Sequence, residues 1–203
     1  MTREHPAGDP ADLPPTARRL LAAAQDILAE RGYEELTITA IAQQSGVNRA
    51  LVSYYFGGKA GLLAALVDTL FQDPEVGYVE EIRATREGAD LTDRFLDWQR
   101  RVSQNDRTNR MLYELLPHAL RDPGVRARFA EEYRVYRAVD AGCLDAAPRE
   151  LTEDELDALA AVTIAMVEGL GIQRALDPEG FDHERAWRMW RDVIGAYLTL
   201  PPG

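Results

Sequence analysis

Between Leu36 and Val67 the chain runs for 32 residues without an Asp or Glu, although its 34 acids spread evenly over 203 residues would put about five there. The polar side chains of this window are Thr, Gln, Ser, Asn and Tyr, joined by Arg49 and Lys59. These types donate to phosphate oxygens, and some of them pair with base edges. A local charge of +2 therefore sits inside a chain of net charge −11. An apolar core segment would lack acids too, so charge placement alone leaves both readings open. Outside the window, catalytic chemistry is sparse. The histidines are His5, His118 and His183, and no Gly-x-Ser-x-Gly, His-Glu-x-x-His or Gly-x-Gly-x-x-Gly motif occurs. Gly58-Lys59 is not a phosphate loop, because Ser53 stands where the first Gly is required and Ala60 where Ser or Thr is required. No enzyme, metal site or cofactor is expected. Cys143 is the only cysteine, which excludes an intramolecular disulfide and a Cys-rich zinc site.

The elements that must carry the window are short helices. Leu20, Ala24, Ile27 and Leu28 fall at helical spacing in a first helix from Thr16, which Gly32 stops after Arg31. Thr37 can cap a second helix that Ser45-Gly46 ends, and Asn48 can cap a third through Tyr55. Gly46 suits a tight left-handed turn, small Ala42 permits close crossing, and Val47 and Val52 face inward. Two short helices so joined have helix-turn-helix spacing, which an ordinary helical hairpin can share. Gly57-Gly58 breaks the chain before a fourth helix with Leu62, Leu63, Leu66, Val67 and Leu70 on one stripe, and Asp73-Pro74 is the next break.

The remainder also follows helical periods. A weak helix is expected over 75–87, others over 91–103 and 107–121 with Pro117 inside, and another from Asp122-Pro123 along Val125, Phe129, Tyr133, Tyr136 and Cys143. Thr152-x-x-Glu155 is a capping box flanked by the apolar pair Leu151 and Leu156. The helix that follows, 152–176, is apolar nearly all round and is expected to be buried on several sides. A last helix, 183–198, carries Trp187 and Trp190. No strand alternation survives, so the fold class is all-α.

Composition bounds the rest. With 46% hydrophobic and 28% charged residues, the chain reads as an ordinary globular protein of one or two domains. No apolar run reaches the ~18–20 residues of a spanning helix, and Met1 to Pro15 lacks the order of a signal peptide, so a cytoplasmic protein without a membrane partner is expected. That Pro-rich stretch reads as a flexible tail. The net charge of −11 disfavours non-specific attraction to nucleic acid and leaves one surface by which DNA could be approached.

The stretch Ala17 to Leu66, with Leu36-Thr37-Ile38-Thr39, Ile41-Ala42, Gly46-Val47-Asn48, Tyr54-Tyr55-Phe56-Gly57-Gly58-Lys59 and Gly61-Leu62-Leu63, resembles the DNA-binding domain of TetR-type transcriptional regulators. Leu115-Leu116-Pro117-His118-Ala119 and Val167-Glu168-Gly169-Leu170 more loosely resemble the ligand-binding and dimerisation part. The resemblance implies a helix-turn-helix domain at 16–60, a connector helix 61–72, and a helical ligand-binding and dimerisation domain at 73–203. It implies that Thr37, Tyr55 and Lys59 contact phosphates, and that Thr39, Asn48, Arg49, Ala50 and Tyr54 face base edges or the groove. Ser53, where Tyr is usual, and Leu51, where Thr or Ser is usual, depart from the pattern and shorten its polar reach. The implied function is a repressor that binds a palindromic double-stranded DNA operator as a homodimer, through helices 152–176 and 183–198, and is released by a small-molecule effector. Phe71, Phe95, Trp98, Met111, Tyr113, His118, Phe129, Tyr133, Tyr136 and Trp187 are candidate pocket residues, for each of which core packing is the competing reading. The alternative for the whole chain is a helical small-molecule-binding or scaffold dimer without sequence-specific DNA binding.

Overall fold

The computed structural model describes residues 13–71 and 89–200; the tail before them, Asp73-Pro74 and the weak helix expected over 75–87 lie outside the described residues. Among the described residues regular structure is helical throughout: α1 (Pro15–Arg31), α2 (Ile38–Ser45), α3 (Ala50–Phe56), α4 (Lys59–Phe71), α5 (Ala89–Gln104), α6 (Asp106–Ala119), α7 (Pro123–Leu144), α8 (Glu153–Leu176) and α9 (His183–Leu198), with a 3-10 turn at Tyr33–Glu35. These helices form two units. One gathers 13–71 with Arg110–Glu132, the other 89–109 with 133–200. The segment Arg110–Glu132, which its position in the sequence assigns to the second domain, thus groups with the first unit.

In the first unit, α1 packs on α2, α3 and α4, burying Leu20, Ala24, Ile27 and Leu28 completely. Gly32, at φ +84, stops α1 with its N–H bonded to the Leu28 carbonyl at 3.2 Å. Thr37 Oγ1 accepts the Ala40 N–H at 3.1 Å and starts α2, which Gly46 closes in a left-handed conformation at φ +65. Gly61 is required for a different reason. A Cβ there would lie 1.8 Å from the Phe56 carbonyl oxygen, so α4 can pass the end of α3 only without a side chain. Asp122 Oδ1 accepts the N–H groups of Gly124 and Val125 at 2.8 and 3.1 Å and caps α7. Arg128 then pairs with Asp68 of α4, with Glu131 and with Glu132. α6 spans Asp106–Ala119 where 107–121 is expected, the chain turning at Leu120 and Arg121.

The core of the second unit is built from Phe95, Leu96, Trp98, Cys143, Leu144, Ala160, Val167, Leu170, Trp187, Ile194 and Leu198. Thr152 and Glu155 form the expected capping box at the start of α8. α5 and α9 both pack on α8. They cover it along one side, burying Ala160, Thr163, Ile164, Val167 and Leu170, whereas Val162, Ile172 and Leu176 stay exposed. The expectation that this helix is buried on several sides is therefore corrected for the single chain: the helices of one chain that pack on it do not enclose a helix that is apolar nearly all round. Met189 and Val193 of α9 are exposed as well.

Candidate nucleic-acid interface

The first unit presents α3 with its apolar side inward. Val52 and Phe56 are buried, and Arg49, Ala50, Ser53 and Tyr54 are exposed, Tyr54 at 66%. Thr37, Thr39 and Asn48 are exposed beside them, and Tyr55 is half-buried with its ring edge-on to Tyr54 at 4.9 Å. Neither Arg49 nor Lys59 forms an ion pair among the described residues. The turn is braced from α1, where Arg19 donates to the Ser45 carbonyl at 2.6 Å and Arg31 donates to Gln44 Oε1.

Two of the expected contact residues are partly occupied by the fold. Asn48 Oδ1 accepts the Ala50 N–H at 2.9 Å, an Asx turn that starts α3 at Ala50 and leaves the side-chain amide hydrogens as its free donors. Asn48 thus keeps both amide hydrogens and the second lone pair of Oδ1 for a further partner. Thr37 uses a lone pair as the α2 cap and keeps its O–H to donate. Lys59 opens α4, and its Nζ lies 4.5 Å from the centroid of the Tyr33 ring. Tyr33 carries no mark in the local pattern of the sequence. Its role comes from the tertiary structure: its N–H donates to Glu114 Oε2 at 2.9 Å, and its ring stacks on His118 with centroids 3.3 Å apart and planes 20° from parallel.

The ten candidate pocket residues divide between the units. Phe71, Met111, Tyr113, His118 and Phe129 belong to the first, where Phe71 meets Phe129 edge to face at 6.2 Å. Phe95, Trp98, Tyr133, Tyr136 and Trp187 belong to the second. Here Trp98 lies 6.1 Å from Phe95 and 5.7 Å from Tyr136 by ring centroids, and the Tyr133 hydroxyl donates to Glu168 Oε1. Asp140, fully buried, accepts from Gln99 Nε2 at 2.7 Å through Oδ2, while Asp140 Oδ1 and Gln99 Oε1 have no hydrogen-bond partner among the described residues. Burial pushes the Asp140 carboxyl well above the usual carboxylate range. Burial raises Glu168 as well, against the hydrogen bond from Tyr133. Asp140, Glu168 and Gln99 are functional candidates missed in the sequence. The signal was there for Asp140, because 129, 133, 136, 140 and 143 form one stripe and only 140 is charged. A separate groove of about 480 Å³ in the second unit, lined by Thr92, Leu96, Pro148, Arg191 and Gly195 among others, contains none of the ten.

Comparison with known proteins gives this geometry its context. Residues 20–66 match the model of bacterial regulatory proteins of the tetR family, and residues 89–199, more than half of the chain, match that of the C-terminal part of BetI-type transcriptional repressors. The chain belongs to the TetR family. Similar curated proteins include the HTH-type transcriptional regulator BetI of Vibrio vulnificus, 22% identical over 92% of this chain and 95% of that one. BetI 2 of Chromohalobacter salexigens is 25% identical over 90% and 88%. Among solved structures, a TetR-family regulator from Rhodococcus sp. aligns at TM-score 0.72 and 22% identity, over 91% of this chain and 99% of that one. A regulator from Saccharomonospora viridis, solved in complex with choline, aligns at TM-score 0.68 and 22% identity over 87% and 94%. At such identities the solved structures establish the fold alone. The family models establish that this TetR-family chain is a DNA-binding transcriptional regulator of BetI type, and the scaffold alternative is not favoured.

Proposed function

We propose that this TetR-family chain is a repressor that occupies a palindromic operator as a homodimer and leaves it when a small organic cation binds its second unit. The observation that carries the DNA reading is the outward face of α3 and its flanks, where exposed Arg49, Ser53, Tyr54, Thr37 and Thr39 stand in a stretch with no carboxylate. Arg49 is the donor suited to a guanine edge, and Thr37, Tyr55 and Lys59 are suited to phosphates. Two copies are needed to read a two-fold operator. The apolar residues that α8 and α9 leave exposed, Val162, Ile172, Leu176, Met189 and Val193, suit a second copy. Such a protein acts on the chromosome by binding, in the cytoplasm, and needs no catalytic step.

The effector class follows from the second unit. Trp98 and Tyr136 offer aromatic faces, and Asp140 and Glu168 offer acceptor oxygens in the same unit, where Asp140 Oδ1 and Gln99 Oε1 lack a donor among the described residues. Ring faces with carboxylates favour a cation. Choline, held by the similar regulator of Saccharomonospora viridis, is of this class. Binding acts as a regulator only if the cation favours a conformation with poorer operator affinity. The test is a gel shift of the full chain on fragments of its own genome, with choline titrated into the bound complex. A fragment held more tightly than random duplex and released by choline supports the reading. Failure of any fragment to bind above random duplex at low salt refutes it, and light scattering at the 22.7 kDa of one chain would refute the homodimer.

A further inference from the structure

Lys59 stands at the start of the 13-residue helix α4, where a cation is disfavoured by the positive end of the helix dipole. A long flexible ammonium there would ordinarily be held only by solvent. The first unit supplies a platform instead. Lys59 Nζ stands over the Tyr33 ring, 4.5 Å from its centroid, and the imidazole of His118 stacks on the same ring with centroids 3.3 Å apart. The backbone of Tyr33 is fixed in turn, its N–H donating to Glu114 Oε2. Glu114 and His118 are four residues apart, on one face of α6, so a single helix grips Tyr33 at two points. On the chain's other side, Gly32 at φ +84 sets the turn into Tyr33, and a Cβ on Gly32 would stand 3.1 Å from the Glu114 carboxylate.

We propose that Tyr33, clamped by Glu114 and His118, is a positioning residue that holds the Lys59 ammonium ready for a DNA phosphate. An ammonium resting on a ring face uses one side of its charge, and its remaining N–H donors point away from the ring. Holding the chain in place before binding removes part of the ordering that a free lysine would undergo on contact. His118 thereby acts on DNA affinity through Tyr33. The inference rests on the reading of Lys59 as a phosphate contact.

The experiment is a salt titration of the full chain on a random-sequence duplex, with Lys59→Ala, Tyr33→Leu, Tyr33→Phe, His118→Ala and the double variant Tyr33→Leu/Lys59→Ala. Lys59→Ala is expected to flatten the plot of log affinity against log salt by about 0.9 for each head bound. Tyr33→Leu is expected to weaken binding about three- to tenfold, Tyr33→Phe less than about twofold, and His118→Ala between them. In the Lys59→Ala background Tyr33→Leu should add nothing. Equal losses from Tyr33→Leu with and without Lys59, or equal losses from the Phe and Leu variants, overturn the inference. An unchanged slope in Lys59→Ala overturns the phosphate reading beneath it. Should thermal melting show Tyr33→Leu to be unfolded, Tyr33→Phe and His118→Ala decide: a His118→Ala no weaker than wild type overturns the inference.

Discussion

Asp140→Asn should make the protein more stable, and by a margin that depends on pH. Asp140 has no exposed surface and one hydrogen-bond partner, the Gln99 amide at 2.7 Å. Its other oxygen and Gln99 Oε1 have no hydrogen-bond partner among the described residues. Burial raises the folded carboxyl well above its ordinary value of 3.8, so the folded state keeps a proton that the unfolded chain has released. Stability from this group is then full below pH 4 and falls as pH rises toward the folded value. At about 1.4 kcal/mol per pH unit, holding that proton at pH 7 costs at most about 4 kcal/mol, which sets the ceiling of the effect. Asparagine has nearly the same shape, never ionises, accepts from Gln99 through its oxygen and donates from its amide where the protonated carboxyl donates from its O–H, so it stands in for the neutral acid at every pH. Urea denaturation of both proteins from pH 4 to pH 8 gives the difference directly, because the other carboxylates titrate in both and cancel. The two midpoints should coincide near pH 4 and separate as pH rises toward the folded value of the carboxyl, with Asp140→Asn the more stable. A difference that does not change with pH, or a variant less stable at pH 7, would refute the reasoning.

Ligand binding should show the reverse sign at the same residue. If a cation meets an ionised Asp140, choline affinity measured by calorimetry rises with pH, and Asp140→Asn loses most at the high end of the pH range and least at the low end; a flat profile removes Asp140 from the site. Arg49→Ala should lose about 1–3 kcal/mol of discrimination at one base position in each half-site, as read by binding to a set of single-base operator variants, and an unchanged base preference would reassign Arg49. Gly61→Ala puts a Cβ 1.8 Å from the Phe56 carbonyl oxygen, so α3 and α4 must separate; a loss of about 1–3 kcal/mol or more is expected in urea, and a melting midpoint within a degree of wild type would show that the crossing is not tight.

The reading head was legible in the sequence because its determinants are local. The Thr37 cap, the left-handed Gly46, the Gly57-Gly58 break and the burial of Val47 and Val52 each depend on neighbours a few residues away, and each stands in the structure where its spacing puts it. The same holds for the Thr152 and Glu155 capping box. His118 was different. As the polar residue beside Pro117 it was a candidate for a pocket or for a packed core position, and the neighbour it packs on, Tyr33, stands 85 positions earlier in the chain, so no periodicity relates the two. Asp140 was visible as a charge within an apolar stripe, yet its meaning came from Gln99, on another helix.

Residue types and short-range spacing thus determined by themselves that the chain is helical, where several of its helices are capped or broken, and that one stretch of 32 residues is free of acids. Only the tertiary structure decided that Arg110–Glu132 joins the first unit, that Lys59 rests on Tyr33, and that α8 keeps an apolar side uncovered. The physical reason is that capping and turn geometry are settled by hydrogen bonds within one or two helical turns. Which side chains from distant segments meet is settled by how whole helices pack, and a single sequence records that only as unassigned apolar and polar positions.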